Sequence, residues 1–297
     1  MENISFAVGT GRCGTKFLSK VLDFENSVAS THEKHPLNDS FHRYAKWYNL
    51  NIDHKGFLWH KKNSIIQDLN YKKHSFEASA FLSLSIEELY TEFNAKFILL
   101  VRNPEKVVNS YVKKGWYEND ILISDGNKLP TMQNIEKFHH FLGRTLPKDE
   151  DNLHRWRNMT IVGKLAWYWN ALNSEVIKQF ERIPSENYLI VKLEDLDFLE
   201  YQKIIGFLSI KNSSVSEKDF ISISSAKINT NGTNTTDIFW NDLHLKEFNQ
   251  ETQPMRQLLG YEKLTESKFY DSIILDESKK TNHNLISRVR EYFSNNR

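Results

Sequence analysis

The residues that decide the fold are ISFAVGTGRCGTKFLSKVL, which run from Ile4 to Leu22. Apolar residues that favour β-structure make up the first part, Ile4–Val8. A glycine-rich turn follows, and from Thr15 onward the spacing of apolar residues is helical. A strand, a glycine-rich turn and a helix in this order predict a cradle for an anion. Glycines let backbone amides approach the anion, and the helix N-terminus carries partial positive charge.

The order of two residues distinguishes this turn from the loop of nucleotide kinases. That loop reads G-x-x-x-x-G-K-[ST], and its final hydroxyl binds Mg²⁺. Here Gly9 and Gly14 have the kinase spacing, but Thr15 and Lys16 stand in the reverse order, so a cation takes the metal-binding position. Arg12 adds a second positive charge. We therefore expect protein cations, and no metal ion, to hold the anion.

Three later apolar runs indicate further buried strands. They are Val28–Ser30, Lys96–Val101 and Tyr188–Val191. Helical patterns occur between and after the strands, at Lys16–Leu22, Ile86–Phe93, Glu105–Tyr111, Val162–Arg182 and Phe198–Leu208. Strands that alternate with helices predict an α/β fold, with a parallel β-sheet of the P-loop type and helices on both faces.

No linker separates two cores, so the sequence predicts a single domain over residues 1–265. Residues 112–160 are polar and rich in His, Lys and Asn, which favours an insertion or lid over a part of the core. Residues 209–236 are rich in Ser, Asn and Thr and predict a surface loop. Residues 266–297 form a charged C-terminal tail with one amphipathic, helical stretch.

Composition argues against several classes of protein. The formal net charge is +1 and the pI is about 7.8, so no global field favours nucleic acid or a membrane surface. Cys13 is the only cysteine, which rules out an internal disulfide. The first residues lack the pattern of a signal peptide, and no apolar run is long enough to span a bilayer. The expectation is a soluble, cytoplasmic protein.

A second segment, KFILLVRNPEKVVNSYV, predicts another anion contact. The strand Lys96–Val101 leads to Arg102, and Pro104 suits the first turn of the helix that follows. Ser110 lies eight positions after Arg102, which is about two helical turns. A guanidinium and a hydroxyl in this arrangement suit a phosphate, because Arg offers a fork of donors and Ser adds a hydroxyl.

The first loop resembles the 5′-phosphosulfate loop of the sulfotransferases, whose donor is 3′-phosphoadenosine-5′-phosphosulfate (PAPS). The run RCGTKF follows their pattern [RK]-x-G-T-[ST]-φ, except that Lys16 stands at the second hydroxyl position. The resemblance implies that the donor is bound by Gly11, Arg12, Cys13, Gly14, Thr15, Lys16 and Phe17. It also implies that Arg102 and Ser110 hold the 3′-phosphate, a group that ATP lacks.

Later parts of the chain resemble the same family, so the resemblance spans about residues 3–262. Trp169-Asn170 resembles part of a family helix. The run YLIVKLEDL resembles a strand often written V-x-Y-E-D-L, with Leu193 in place of the usual Tyr. Residues 227–243, with LLGYE after them, resemble the donor-capping loop and the terminal helix. By this resemblance Asn229 and Gly232 contact the donor.

The general base is expected directly after the second strand, in the segment SVASTHEKHP. Residues at the carboxyl ends of parallel strands face the same crevice as the glycine-rich loop. Glu33 lies 21 positions after Arg12, a separation that matches the catalytic Glu of sulfotransferases acting on peptide tyrosine. We therefore expect Glu33 to be the base, with His32 as runner-up and Arg12 neutralising the leaving phosphate.

Glu77 is a second candidate for the base. Many family members have an acidic residue here, followed by Lys, a small residue and Pro. This chain reads EASA from Glu77 to Ala80, so the Lys and the Pro are both missing. Arg12 or Lys16 is then expected to stabilise the leaving oxygen.

Together these residues predict a PAPS-dependent sulfotransferase. It would move the sulfuryl group to a hydroxyl or amine by in-line attack, release 3′,5′-ADP and require no metal. The acceptor, a small molecule, glycan or peptide, would lie against residues 36–75 and 112–160, which are rich in aromatics. Two alternatives stay open: a metal-dependent P-loop nucleotide kinase or NTPase, and a non-catalytic module that binds PAPS.

Overall fold

The order of the strands places the first loop at the centre of the sheet. The computed structural model describes residues 3–117, 142–225 and 240–261, and five strands in these ranges form one parallel sheet. They are β1 (Ile4–Val8), β2 (Val28–His32), β3 (His74–Ala78), β4 (Lys96–Val101) and β5 (Tyr188–Lys192). Their order is β2-β3-β1-β4-β5, and every neighbouring pair is parallel. The predicted α/β fold is confirmed.

Helices connect and cover these strands. Within the described ranges they are α1 (Thr15–Leu22), α2 (Pro36–Trp47), α3 (His54–Leu69), α4 (Ile86–Phe93), α5 (Pro104–Val112), α6 (Glu150–Arg157), α7 (Ile161–Phe180), α8 (Phe198–Phe207), α9 (Glu217–Ser225) and α10 (Asp242–Leu258). Short polar side chains such as Asp53, Asn103 and Thr160 cap several of their N-termini by accepting a backbone N–H. None of these helices is long and apolar enough to cross a membrane.

Side chains alternate between the two faces of the sheet, and each face has its own apolar core. Ile4, Phe6 and Val8 of β1 pack in one core with α4, α5, α7 and α10. Ala7 packs in the other core with α1, α8 and α9. Apart from Ser5 and Lys96, β1 and β4 have apolar side chains on both faces, which explains why the sequence pattern predicts these two strands.

The chain changes direction across the sheet at β1. From β1 it passes to β2 and β3 on one side, and from β3 it crosses to β4 and β5 on the other. Ligands of open α/β sheets bind at such a switch point, beyond the carboxyl ends of the strands. The loop after β1 and the first residues after β2 and β4 all lie at this edge.

The apolar pattern does not predict β3, α2 or α3. β3 reads HSFEA, and its polar side chains are buried. Ser75 Oγ donates to Asp68 at 2.7 Å, and Glu77 pairs with Lys61 at 2.8 Å. Because these partners come from another element, no local pattern indicates that the polar residues of β3 are buried.

The predicted surface loop over residues 209–236 is wrong for part of that segment. Glu217–Ser225 form α9, and Phe220 and Ile223 are buried in the core that α1 also lines. Their spacing of three positions puts both side chains on one helical face. Residues 226–239 lie outside the described part of the chain.

Part of the predicted insertion packs against the body of the domain. The carbonyl of Gly143 accepts a hydrogen bond from Arg43 at 2.6 Å, and the carbonyl of Leu146 accepts one from Trp47 at 2.8 Å. These contacts attach residues 143–146 to α2. A lid function for residues 112–160, like the domain bounds, stays a prediction.

Candidate active site

The loop between β1 and α1 has the backbone of an anion cradle. Gly11, Arg12 and Gly14 have φ angles of 81°, 59° and 98°, in the left-handed region. Left-handed residues next to right-handed ones can turn successive amides toward one concave side of a loop. α1 begins at Thr15 with Gly14 as N-cap and without a side-chain cap, so its first amides have no partner within the helix. These donors suit a phosphate or sulfate group.

Neighbouring side chains pack closely against this loop. A Cβ atom at Gly14 would lie 2.5 Å from Leu193 Cδ1, and one at Gly11 would clash with the hydroxyl of Tyr111. Tyr111 also donates a hydrogen bond to the carbonyl of Thr10 at 2.7 Å. The loop is therefore fixed from α5 and from the turn after β5.

The two anion motifs predicted from the sequence meet in the structure. Arg12 Nε donates to Ser110 Oγ at 2.7 Å, and Arg102 Nη1 donates to the carbonyl oxygen of Arg12 at 3.1 Å. Burial lowers the pKa of Arg102, the carboxylate of Glu194 raises it, and the charge of Arg12 lowers it further. Two neighbouring guanidinium groups beside a helix N-terminus favour an anion at this site.

Residues of the weaker sequence motifs hold the backbone around Arg102. Glu194 accepts a hydrogen bond from the N–H of Asn103 at 3.0 Å and another from the Tyr261 hydroxyl at 2.9 Å. Trp169 Nε1 donates to the carbonyl of Arg102 at 3.2 Å. These contacts fix the point where β4 ends and α5 begins, so the side chain of Arg102 starts from a rigid position.

Glu33 lies at the same edge of the sheet. It follows β2 directly, has a left-handed backbone with φ 50°, and donates its N–H to the carbonyl of Ala78 at 3.0 Å. Burial raises the pKa of its carboxyl, and the nearby charges of Arg43 and Lys114 offset only part of that rise. A raised pKa makes the carboxylate a stronger proton acceptor, which suits a general base.

His32 lies next to the N-terminus of α1. Its Nε2 is 3.2 Å from Thr15 Oγ1. Burial, and then the charge of Lys16, lower the pKa of His32 to about 4, so the imidazole is neutral at pH 7. A base with so low a pKa holds a proton weakly. The contact with Thr15 suits a residue that orients the loop.

A lysine that sequence reasoning missed lies beside Glu77. Lys61 Nζ on α3 donates to the two Glu77 oxygens at 2.9 and 2.8 Å and to Asp39 Oδ2 at 2.7 Å. Lys61 and Asp39 are each 1% exposed. Both oxygens of Glu77 are engaged in the ion pair, which argues against a role for Glu77 as the base.

The other predicted donor residues differ in their surroundings. Cys13 is a buried free thiol, and burial raises its pKa to about 11, so it can serve the loop through its backbone but not as a thiolate. Lys16 is exposed in the first turn of α1, and the ring of Phe17 packs edge-on against an aromatic ring of α9 at 5.7 Å. Asn229 and Gly232 lie outside the described residues.

Residues 36–75 and 112–160, the segments predicted to line an acceptor pocket, contain four tryptophans that the structure describes, and three of them are buried. Trp47, Trp116 and Trp156 are 4%, 7% and 7% exposed, whereas Trp59 on α3 is 61% exposed. A cleft of about 530 Å³ between α2 and α3 is lined by residues that include Leu37, Phe41, Ile52, Phe57 and His60. His139 and His140, two further candidates in the segment 112–160, lie outside the described ranges.

A group of three potential metal ligands lies elsewhere in the domain. In the part of the chain that the structure describes, ligand atoms of His42, His54 and Glu88 lie within 4.8 Å of one another. They come from α2, α3 and α4, and Lys46 Nζ lies 3.3 Å from Glu88 Oε2. None of these residues belongs to the loop after β1.

The family model of the sulfotransferase domain matches residues 4–238. No curated protein matches the sequence. The sulfotransferase domain from the Synechococcus PCC 7002 olefin synthase has 14% identity and a TM-score of 0.46, with 85% of this chain and 94% of that chain covered. The sulfotransferase from Alicyclobacillus acidocaldarius has 16% identity, a TM-score of 0.48 and coverage of 86% and 92%. The sulfotransferase domain from the curacin biosynthetic pathway has 15% identity, a TM-score of 0.45 and coverage of 99% and 98%.

Proposed function

The chain belongs to the sulfotransferase family, and from this premise we propose that it transfers the sulfuryl group of PAPS to a hydroxyl or amine acceptor. The observation that carries the proposal is a set of contacts beside the N-terminus of α1, where Arg12 is hydrogen-bonded to both Ser110 and Arg102. This arrangement offers cations and hydrogen-bond donors for two anionic groups, which is what PAPS presents.

The residues of the site fit the two phosphate positions of the donor. The amides at the start of α1, with Arg12, would hold the phosphosulfate, and Arg102 with Ser110 would hold the 3′-phosphate. The left-handed backbone at Gly11 and Gly14 supports this assignment, because it lets amides converge on an anion. When bound, PAPS supplies an activated sulfuryl group whose leaving group is a phosphate.

Glu33 is the general base of the proposed reaction. A bond forms between the acceptor atom and sulfur as the bond from sulfur to the 5′-phosphate oxygen breaks, and the acceptor's proton passes to the Glu33 carboxylate. Arg12 neutralises the charge that builds on the leaving phosphate. The raised pKa of Glu33 supports this role over His32, whose pKa is about 4.

Donor binding and group transfer test the proposal separately. Calorimetry should give an affinity for 3′,5′-ADP at least about ten-fold above that for 5′-AMP, because a charged hydrogen bond to the extra phosphate contributes that much. Equal affinities would contradict the donor assignment. Radiolabelled PAPS would then be offered with pools of phenols, sugars, amines and peptides. A protein that binds 3′,5′-ADP but labels none of these pools would be a binding module without the proposed catalytic activity.

A further inference from the structure

The backbone of the turn that carries Glu33 is held by β3. A non-glycine residue with φ 50°, as at Glu33, is disfavoured unless its surroundings impose that conformation. Within this turn, residues 33–35, the N–H of Glu33 donates to the carbonyl of Ala78 at 3.0 Å. The N–H of Lys34 donates to Glu77 Oε1 at 3.2 Å. Two consecutive amides therefore bind to β3 and impose the left-handed backbone.

The side chains of the same turn are held by α3. Lys34 Nζ lies 2.8 Å from Asp68 Oδ1, and Asp68 is itself buried. His35 Nε2 lies 2.8 Å from Ser64 Oγ. Lys34 and His35, the two residues that follow Glu33, thus contact residues that lie one helical turn apart on α3.

Lys61 acts on the turn through Glu77. Its ammonium lies between Glu77, at 2.8 and 2.9 Å, and Asp39, at 2.7 Å. A buried carboxylate that loses its cation partner becomes protonated or moves toward water. Lys61 therefore holds the Glu77 side chain in place, where it accepts the N–H of Lys34.

We propose that Lys61, Ser64 and Asp68 form a positioning face of α3 that fixes the 33–35 turn and aims the Glu33 carboxylate at the acceptor. The three residues follow the i, i+3, i+7 spacing of a single helical face, and all three are buried. The inference rests on the proposed function, in which Glu33 is the general base.

Lys61→Met tests this positioning face, and Lys62→Met is the matched control. The Lys62 side chain, on the same helix, is 50% exposed and lies 3.8 Å from Glu92. In Lys61→Met we expect kcat to fall about 10- to 100-fold, because small displacements of a catalytic group cost that much. Affinity for 3′,5′-ADP should not change. Lys62→Met should leave kcat and this affinity at their wild-type values. A folded Lys61→Met protein with wild-type kcat would overturn the proposal.

Amide hydrogen exchange measures the turn without any turnover. In Lys61→Met, exchange at Glu33 and Lys34 should become about ten-fold faster or more, as expected for local opening, while β4 and α7 keep their wild-type rates. Wild-type exchange at the turn, or faster exchange across the whole sheet, would overturn the proposal. Because this measurement needs no acceptor, it tests whether α3 holds the 33–35 turn independently of whether the proposed sulfuryl transfer occurs.

Ser64→Ala is a milder variant for the case in which Lys61→Met does not fold. It removes the hydroxyl that contacts His35 and leaves the buried ion pairs intact. We expect kcat to fall about 3- to 10-fold, the effect of one neutral hydrogen bond, with faster exchange at the turn and a melting temperature lower by no more than about 4 °C. A Ser64→Ala protein with wild-type kcat and wild-type exchange would overturn the positioning role of α3.

Discussion

Glu33 and His32 are adjacent in the chain, yet burial changes their pKa values in opposite directions. Loss of water disfavours the charged carboxylate and so raises the pKa of Glu33. It disfavours the charged imidazolium and so lowers the pKa of His32 to about 4. Burial therefore makes the Glu33 carboxylate a stronger proton acceptor and the His32 imidazole a weaker one than the free side chains.

Glu33→Gln is expected to lower kcat by about 10²–10⁴-fold, the usual contribution of a general base. Affinity for 3′,5′-ADP should stay the same, because the donor contacts are assigned to other residues. His32→Ala should reduce kcat by less. Steady-state kinetics and calorimetry on both variants check this expectation. An active Glu33→Gln protein beside an inactive His32→Ala protein would make the imidazole the base.

The pH dependence of kcat gives a second test of Glu33. A general base acts only when it is ionised, so wild-type kcat should rise with pH through the pKa of Glu33, which burial places above the ordinary value for Glu. Glu33→Gln should lack this rising limb. If the limb instead lies near pH 4 and disappears in His32→Ala, the assignment of the two residues is reversed.

Arg102→Ala should abolish the preference for 3′,5′-ADP over 5′-AMP. Loss of a charged hydrogen bond should weaken 3′,5′-ADP binding by about 10- to 100-fold, while 5′-AMP, which lacks the 3′-phosphate, should bind as before. Arg182→Ala is the control, because Arg182 is an exposed arginine paired with Glu87 at 2.7 Å. A full preference retained in Arg102→Ala would place the 3′-phosphate elsewhere.

At the scale of elements, the junction between β1 and α1 depends on a glycine. Gly14 ends the loop with φ 98° and lies against Leu193. A longer side chain here would have to adopt a disfavoured backbone and displace a packed leucine. Gly14 therefore determines where α1 begins, and with it the direction in which the first backbone N–H groups of α1 point.

Gly14→Ala should destabilise the protein by about 1–3 kcal/mol, because both the backbone and the contact with Leu193 become strained. Gly56→Ala in α3 is the matched control, since no atom lies within 4 Å of its added Cβ. That variant should be neutral or more stable by up to about 1 kcal/mol, the helix propensity difference between the two residues. Denaturant unfolding measures both changes. Equal stabilities of the two variants would contradict the strain argument.

At the scale of the whole molecule, the proposed donor site joins β1, α1, β4 and α5. A ligand that bridges these elements binds the folded chain and not the unfolded one, so it raises the free energy of unfolding. The same site contains cations where a kinase has its metal-binding hydroxyl. The nature of the stabilising nucleotide therefore distinguishes a sulfotransferase donor site from a kinase site.

3′,5′-ADP at about 100 times its Kd should stabilise the fold by about 2.7 kcal/mol and raise the melting temperature. ATP with Mg²⁺ at the same concentration should have a smaller effect, because it lacks the 3′-phosphate. Sulfuryl transfer should also persist in excess EDTA. Activity that EDTA abolishes and Mg²⁺ restores would favour the metal-dependent kinase.

Local patterns in the sequence were sufficient for several parts of this protein. β1, the glycine-rich loop and α1 are consecutive, so composition and spacing within residues 4–22 predict them. The same holds for β4 and α5, which place Arg102 and Ser110 two helical turns apart. The sequence also places Glu33 directly after a strand. The spacing of apolar residues and the positions of glycine and proline are sufficient to predict these strands and helices.

Only the tertiary structure determines which charged and polar side chains bind to one another. Lys61 and Glu77 lie 16 positions apart on a helix and a strand that the apolar pattern does not predict, and only folding brings them within 2.8 Å. The contact between Arg12 and Ser110 likewise spans 98 positions. The physical reason is that burial of a charge is tolerated only where a partner offsets the loss of water. That partner can come from any part of the chain, so no local period reveals it.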